Sequence, residues 1–397
     1  MFAPRISARV QAIKISATKE MPMIAAKVGG CVSLGQGVPS FVTPPLVVVA
    51  LMRELAENPS AGKYSLQPGL TDLRRACADL IAREKGVVLD PETEMGITVG
   101  AMEALFCAVS TLVDRGDEVL VPEPFYPSHV EQILMAEGRP VLTPLRRTDW
   151  GLDVEAMRRA VTPRTRAMLI SSPHNPTGAV FAEADLRQAA ELAVEHNLAI
   201  ICDDTYDYLS YDAPAFSLAQ IPEIRDRLIG VGSFSKRYAL TGWRVGFFFA
   251  PAGLMAEMLK VHDCVAICAP TPSQHAALAA LAAPESMCRE FLDALRRRRD
   301  LACARLDALA PFFSYVRPGG AFYIMARYHL PEGLDIPSRD MAVRLIHEAK
   351  VITVPGDAFG PGGASSLRLS FGAEEKDLNE AFDRIEGWVK KEFGNLK

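Results

Sequence analysis

From about residue 70 onward, short apolar runs alternate with helical patterns of roughly 10–15 residues, and this alternation restricts the fold more than any other feature of the chain. "TDLRRACADLIAREKG" has helical spacing and "GITVG" reads as a strand. "MEALFCAVSTLV" is helical again, "DEVLVP" a strand and "SHVEQILMAEG" a helix. The rhythm continues through the strand "RAMLISSP", the helix "EADLRQAAELAVEHN" and the strands "LAIICDD" and "LIGVGSFS". Strands separated by helices in this way build βαβ units and a mostly parallel sheet. The runs are apolar at consecutive positions, so helices are expected on both faces of that sheet.

After residue 285 the pattern changes. A long helical stretch leads to "SYVRPGGAFYIMARY", a pair of short strands, and then to "SRDMAVRLIHEAK", "VITVPG", "SSLRLSFG" and a terminal helix. The expected architecture is α/β, with a large domain built on the parallel sheet and a smaller α+β domain. We assign residues 1–45 to an N-terminal arm and small-domain segment, 46–288 to the large domain and 289–397 to the small one. A length of 397 residues suits that division.

Composition excludes several classes. A net charge of -5 gives no basic face for nucleic acid, and "LRRRRD" (295–300) sits in a helical pattern as a solvated face. No run approaches the ~18 apolar residues of a membrane span. Arg5, Arg9, Lys14 and Lys19 precede the first acid, Glu20, and read as part of an N-terminal arm rather than a transit signal. The eight cysteines are irregularly spaced, with Cys107, Cys202 and Cys268 inside apolar runs, as expected of buried free thiols in a reducing compartment. Cys264 and Cys268 could share a helix face, yet no second pair or histidine cluster completes a zinc site. The expected location is cytoplasmic.

Ligands of open α/β sheets bind beyond the carboxyl ends of the strands, so the residues that follow each strand matter most. After "ITVG" (ending at Gly100) come Ala101 and Met102, which open a helix with free backbone N–H groups. The next strand ends in "PEPFYP", with Phe125 and Tyr126, and the one after in "PHNPTG", with Asn175. "LAIIC" delivers Asp203, Asp204 and Tyr206; "IGVG" delivers Ser233, Ser235 and Lys236. "WRVGFFFA" follows too soon for a parallel crossover, so it runs antiparallel and returns Arg244 to the end where Lys236 sits. Two cations there call for an anion.

Each residue alone has an ordinary explanation: a lysine after a strand is usually structural, a terminal Asp is a cap, and "NPTG" is a turn. Their joint occurrence describes one ligand. Helix N–H groups, serine hydroxyls and Arg244 suit a phosphate. Phe125 offers a stacking face, Asp203 a partner for a protonated ring nitrogen, and Asn175 and Tyr206 hydrogen bonds to a ring hydroxyl. Lys236 can form an imine with an aldehyde. Together these specify pyridoxal 5'-phosphate.

The segments "SFSKRYALTGWRVG", "SSPHNPTGAV", "ICDDTYDYL", "KYSLQPGLTDLRRA", "LGQGVPSF" and "LRLSFG" resemble the class I/II aminotransferases of the aspartate-aminotransferase fold, in family order over about residues 30–375. The resemblance implies that Lys236 holds the cofactor and shuttles the proton, with Asp203 on the pyridinium and Tyr206 and Asn175 near the ring hydroxyl. Ser233, Arg244 and the Gly100–Met102 backbone would form the phosphate cup. Phe125, or failing it Tyr126, would stack on the ring.

By the same resemblance, Arg368 binds the substrate α-carboxylate beside Gly37, a role that spacing alone does not give. Tyr64 would reach the phosphate of a neighbouring subunit, which implies a homodimer. The substrates are then an amino acid and a 2-oxo acid, commonly 2-oxoglutarate. Met102 stands where aspartate-selective relatives often carry lysine, which favours neutral side chains. A C–S β-lyase on the same scaffold is the main alternative, and a non-catalytic sensor a remote one.

Overall fold

The computed structural model describes residues 4–13 and 16–394; Lys14 of the basic N-terminal run lies outside them. Its centre is a seven-stranded sheet in the order 95–98, 246–249, 228–233, 199–203, 165–171, 118–123, 139–144. The Gly246–Phe249 strand is antiparallel to both of its neighbours, and the other pairings are parallel. The edge strand Arg139–Pro144 was not anticipated from the sequence; its mixed exposure gives it a weaker apolar signature than the central strands.

The consecutive apolar positions are explained by what covers each face. Met168, Ile170, Ile200 and Cys202 point into one core with Leu73, Cys77 and Ile81 of the Thr71–Lys85 helix and Leu186 of the Glu183–Glu195 helix. Ala167, Leu169, Ile201 and Val231, from alternate positions, point into another with Ala104 and Ala108 of the Gly100–Leu112 helix and Met255 and Met258 of the Ala252–Ala266 helix. Apolar side chains on both faces of the central strands therefore leave water, which contributes ~1.5–3 kcal/mol for each fully buried large aliphatic side chain.

A second, four-stranded antiparallel sheet comprises 354–355, 366–370, 323–328 and 313–314. The Glu285–Asp307 and Glu375–Phe393 helices pack on it through Leu295, Leu306, Phe382 and Ile385. Met21 and Ala25 of the Ala17–Val28 helix join this core, and Val32–Ser33 pairs in parallel with Val351–Ile352. The expected boundary near residue 288 falls within one continuous helix, Glu285–Asp307, rather than in a linker.

That helix also corrects the reading of "LRRRRD". Arg298 and Arg299 are buried, not solvated. Arg298 donates to the Gly372 carbonyl at 3.0 Å and lies 5.0 Å from the Phe41 ring centroid, while Arg299 pairs with Asp212 at 3.0 Å. A helix face that bridges two layers can bury guanidinium stems and satisfy their heads locally.

Candidate active site

The carboxyl ends of the central strands, the short strands 323–328 and 366–370 and the N-terminal segments enclose a cavity of about 310 Å³. Ala101, Met102, Asn175, Asp203, Tyr206, Ser233, Ser235, Lys236, Arg244, Arg368 and Gly37 all line it. The antiparallel return is as expected, with Ser233 opposite Gly246. Arg244 precedes that strand at φ +52, a left-handed conformation uncommon for residues other than glycine. Its guanidinium lies against Gly100: a Cβ on that glycine would come within 2.7 Å of Arg244 Nη2. Gly100 itself has φ +73 and opens the helix, and a Cβ on Gly246 would stand 2.7 Å from the Ala101 nitrogen. Two close approaches at glycines thus bring a helix N-terminus, a guanidinium and a strand end together.

Asp203 ends its strand buried, with Oδ2 2.9 Å from His129 Nε2 and Oδ1 accepting from the Thr205 hydroxyl at 2.6 Å and the Thr205 backbone N–H at 3.1 Å. Burial alone would raise its pKa; the His129 and Thr205 contacts outweigh burial and hold the carboxyl below its ordinary value. It therefore stays ionised. The Tyr206 hydroxyl is 3.0 Å from that of Tyr323. Burial keeps the Tyr206 proton on well above the usual phenol range.

Lys236 Nζ donates to the Gly37 carbonyl at 2.6 Å. Burial, then the charges of Arg244 and Arg368, lowers its pKa to about 8. Arg368 is 1% exposed. It donates to Asn175 Oδ1 at 3.2 Å and to the Gly35 carbonyl at 2.8 Å, and it faces the Tyr323 ring at 4.4 Å from the centroid. Both hydrogen-bond acceptors are neutral.

One placement departs from expectation. Phe125 points out of the cavity, into a groove shared with Ala17, Val130 and Leu134, and its backbone N–H donates to the Phe359 carbonyl. Tyr126 lines the cavity instead, its hydroxyl donating to Met102 Sδ at 3.8 Å. Neighbouring side chains diverge, so a one-residue misassignment moves the aromatic from one wall to another. Tyr64, expected at a neighbouring subunit's phosphate, lies outside this chain's cavity. It is 80% exposed and flanks a separate depression with Lys63, Cys268 and Pro270. His129, Thr205 and Tyr323 were missed: "PSHV" and "AFYIM" read as ordinary helix and strand, and what marks His129 and Tyr323 is contact across 74 and 117 residues of chain, whereas Thr205 bonds Asp203 two residues before it.

The family model described as Aminotransferase class I and II matches residues 30–385. The chain belongs to that family. It is 35% identical to the aromatic-amino-acid aminotransferase 2 of Thermococcus litoralis over 97% of this chain and 98% of that protein. It is 34% identical to the aspartate aminotransferase of Pyrococcus abyssi over 96% and 97%. The solved structure of the Thermus thermophilus aspartate aminotransferase with maleate superimposes with a TM-score of 0.89 at 35% identity, over 96% of this chain and 99% of that one.

The protein is a pyridoxal-phosphate-dependent aminotransferase of the α/β two-domain fold. The cavity suits that cofactor: glycine-permitted helix N–H groups and Arg244 for a dianion, an ionised buried carboxylate for a ring N–H, and an amine that loses its proton near neutrality. In the cofactor-free protein, Lys236 should lose its proton with a midpoint of about 8, well below an ordinary lysine. The pH dependence of its acylation, followed by peptide mass spectrometry, checks this; a midpoint above 10 would contradict the burial and charge argument.

Proposed function

We propose that this aminotransferase moves the amino group of an L-amino acid with a neutral, aromatic or aliphatic side chain to a 2-oxo acid such as 2-oxoglutarate. The observation that carries the reading is Arg368, a fully buried guanidinium facing the cavity beside Asn175 with no carboxylate among its hydrogen-bond partners. A buried cation without an anion is costly, and a substrate α-carboxylate would complete its fork. Among the described residues lining the cavity, the other cations are Lys236 and Arg244. Both have cofactor roles in this reading, so a second substrate carboxylate finds no cationic partner among the described lining residues of its own chain. Met102, Tyr126, Leu105 and Val38 instead offer an apolar wall.

Pyridoxal phosphate, when bound, supplies an aldehyde that exchanges its oxygen for the amino group and a ring that takes up the electrons left on the substrate carbon. Lys236 Nζ would hold it and, as a free amine, would take the proton from the substrate Cα and give it back at the cofactor carbon that carries the transferred nitrogen. Ionised Asp203 holds a proton on the ring nitrogen, and His129 and Thr205 fix the carboxylate. Asn175 and Tyr206 hold the ring hydroxyl, with Tyr323 fixing the phenol. Ser233, Ser235, Arg244 and the backbone of Gly100, Ala101 and Met102 hold the phosphate. Tyr126 replaces Phe125 as the stacking ring, and Gly37, whose carbonyl accepts from Lys236, borders the carboxylate site.

A homodimer with Tyr64 completing the neighbouring site is supported by exposed apolar side chains in the same stretch of chain: Val42, Val49, Met52 and Leu66 are 65–76% exposed. The eight free cysteines fit a cytoplasmic location, and no helix among the described residues is long and apolar enough to cross a membrane. The names of the relatives favour amino transfer over C–S β-lysis.

Steady-state rates with 2-oxoglutarate should give a kcat/KM for phenylalanine, methionine or leucine at least about tenfold above that for aspartate, the gap being set by an unpaired buried carboxylate. Equal or better aspartate turnover would overturn the side-chain reading, and ammonia with pyruvate would favour the lyase. Arg368→Lys should lower kcat/KM for every donor by about 100-fold, from ~2–3 kcal/mol of charge-assisted hydrogen bonding. Light scattering should return twice the chain mass of 43.2 kDa. A mass at the single-chain value would remove Tyr64 from the site.

A further inference from the structure

Lys236 and Asp203 are each followed by a charged residue that turns away from the cavity, and both of those residues are held by the end of one helix. Arg237 is buried and makes a two-point ion pair with Glu84, Nη1 to Oε2 at 2.7 Å and Nη2 to Oε1 at 2.6 Å. Its guanidinium also lies 4.1 Å from the Tyr208 ring centroid. Asp204 is buried and pairs with Lys85, whose Nζ also lies 3.0 Å from Asp207. Asp204 further accepts from the Ser217 hydroxyl at 2.8 Å, and its backbone N–H donates to the Val231 carbonyl at 2.9 Å. Burial favours the neutral amine of Lys85, but the charges of Asp204 and then Asp207 outweigh it and keep the proton on.

Glu84 and Lys85 are consecutive, in the last turn of the Thr71–Lys85 helix. That helix covers the sheet face opposite the Gly100–Leu112 helix, through Cys77, Ile81 and their contacts with Cys202 and Phe247. Successive residues at a strand end face opposite sides of the sheet, so fixing Asp204 below fixes Asp203 above. Successive residues in a helical turn diverge by ~100°, so a two-point grip on Arg237 limits how Lys236 can rotate. Two buried charges could have been satisfied by unrelated elements; here one dipeptide satisfies both.

We propose that Glu84 and Lys85 are positioning residues that set Lys236 and Asp203 from the reverse face of the sheet. The proposal rests on the roles given above to Lys236 and Asp203. It predicts effects that separate by ligand. Pyridoxal phosphate can bond Lys236, whereas pyridoxine phosphate, which has an alcohol in place of the aldehyde, cannot; both present the same ring nitrogen to Asp203.

The test is equilibrium binding of both compounds to the cofactor-free full-length protein, followed by fluorescence. Glu84→Gln should weaken pyridoxal phosphate about tenfold and leave pyridoxine phosphate within about twofold. Arg237→Gln attacks the same pair from the other side and should give the same ratio. Should either fail to fold, Arg237→Lys, which keeps a cation opposite Glu84, must shift the ratio in the same direction by less. Lys85→Met should weaken both compounds alike. Equal losses of both ligands in Glu84→Gln and Arg237→Gln, or no loss in either, would overturn the positioning role. If wild type binds the two compounds equally and Lys236→Ala changes neither, the reading of Lys236 fails rather than that of Glu84 and Lys85.

Discussion

Three cationic side chains, Lys236, Arg244 and Arg368, face one cavity in which Asp203 is the single ionised acid among the lining residues described. Such a surplus of positive charge, with the Arg368 guanidinium fully buried, is unfavourable until anions arrive, and it organises everything around it. It pulls the Lys236 proton off near neutrality, because burial and the two guanidiniums act in the same direction. In the proposed function it makes the cavity a receptor for two separate anions, one beside Arg244 at the helix N-terminus and one beside Arg368. The fold supplies the rigidity that keeps these charges apart: parallel strands end at one edge, an antiparallel strand returns Arg244 to it, and the second sheet carries Arg368 across from the other side.

Much of this was legible in the sequence because it is local. Continuous apolar strands announce a sheet covered on both faces, and residues at strand ends are brought to one edge by topology alone. The short connection between "LIGVGSFSK" and "WRVGFFFA" fixes the antiparallel return, and with it the meeting of Lys236 and Arg244. The structure shows that these residues share the cavity with Asp203, Asn175 and Tyr206. Arg368 was accessible only through resemblance, since a charge on a five-residue strand carries no sign of which side it faces.

What escaped was set by contacts that no spacing encodes. Phe125 and Tyr126 are equally aromatic, and only the packing of Phe125 under the Phe359–Gly360 loop decides which one enters the cavity. His129 looks like a helix residue until Asp203 is found beside it. Glu84 and Lys85 read as an ordinary polar helix end before Gly86, yet their partners lie 153 and 119 residues further along. The basic run at 295–300 shows the same limit in reverse. Its charge density suggested solvent, but Arg298 and Arg299 meet a carbonyl, a carboxylate and two aromatic rings from distant segments.

The central claim is that these charges converge on one cofactor and exchange an amino group through it. The most direct measurement is the visible absorption spectrum of the purified protein with bound pyridoxal phosphate, recorded as a single amino acid is added and then a 2-oxo acid. The account predicts that the long-wavelength band bleaches with a neutral amino acid and returns with the oxo acid, with no ammonia released. A band that never forms with wild-type protein, or one that forms and does not respond to any amino acid, would contradict it.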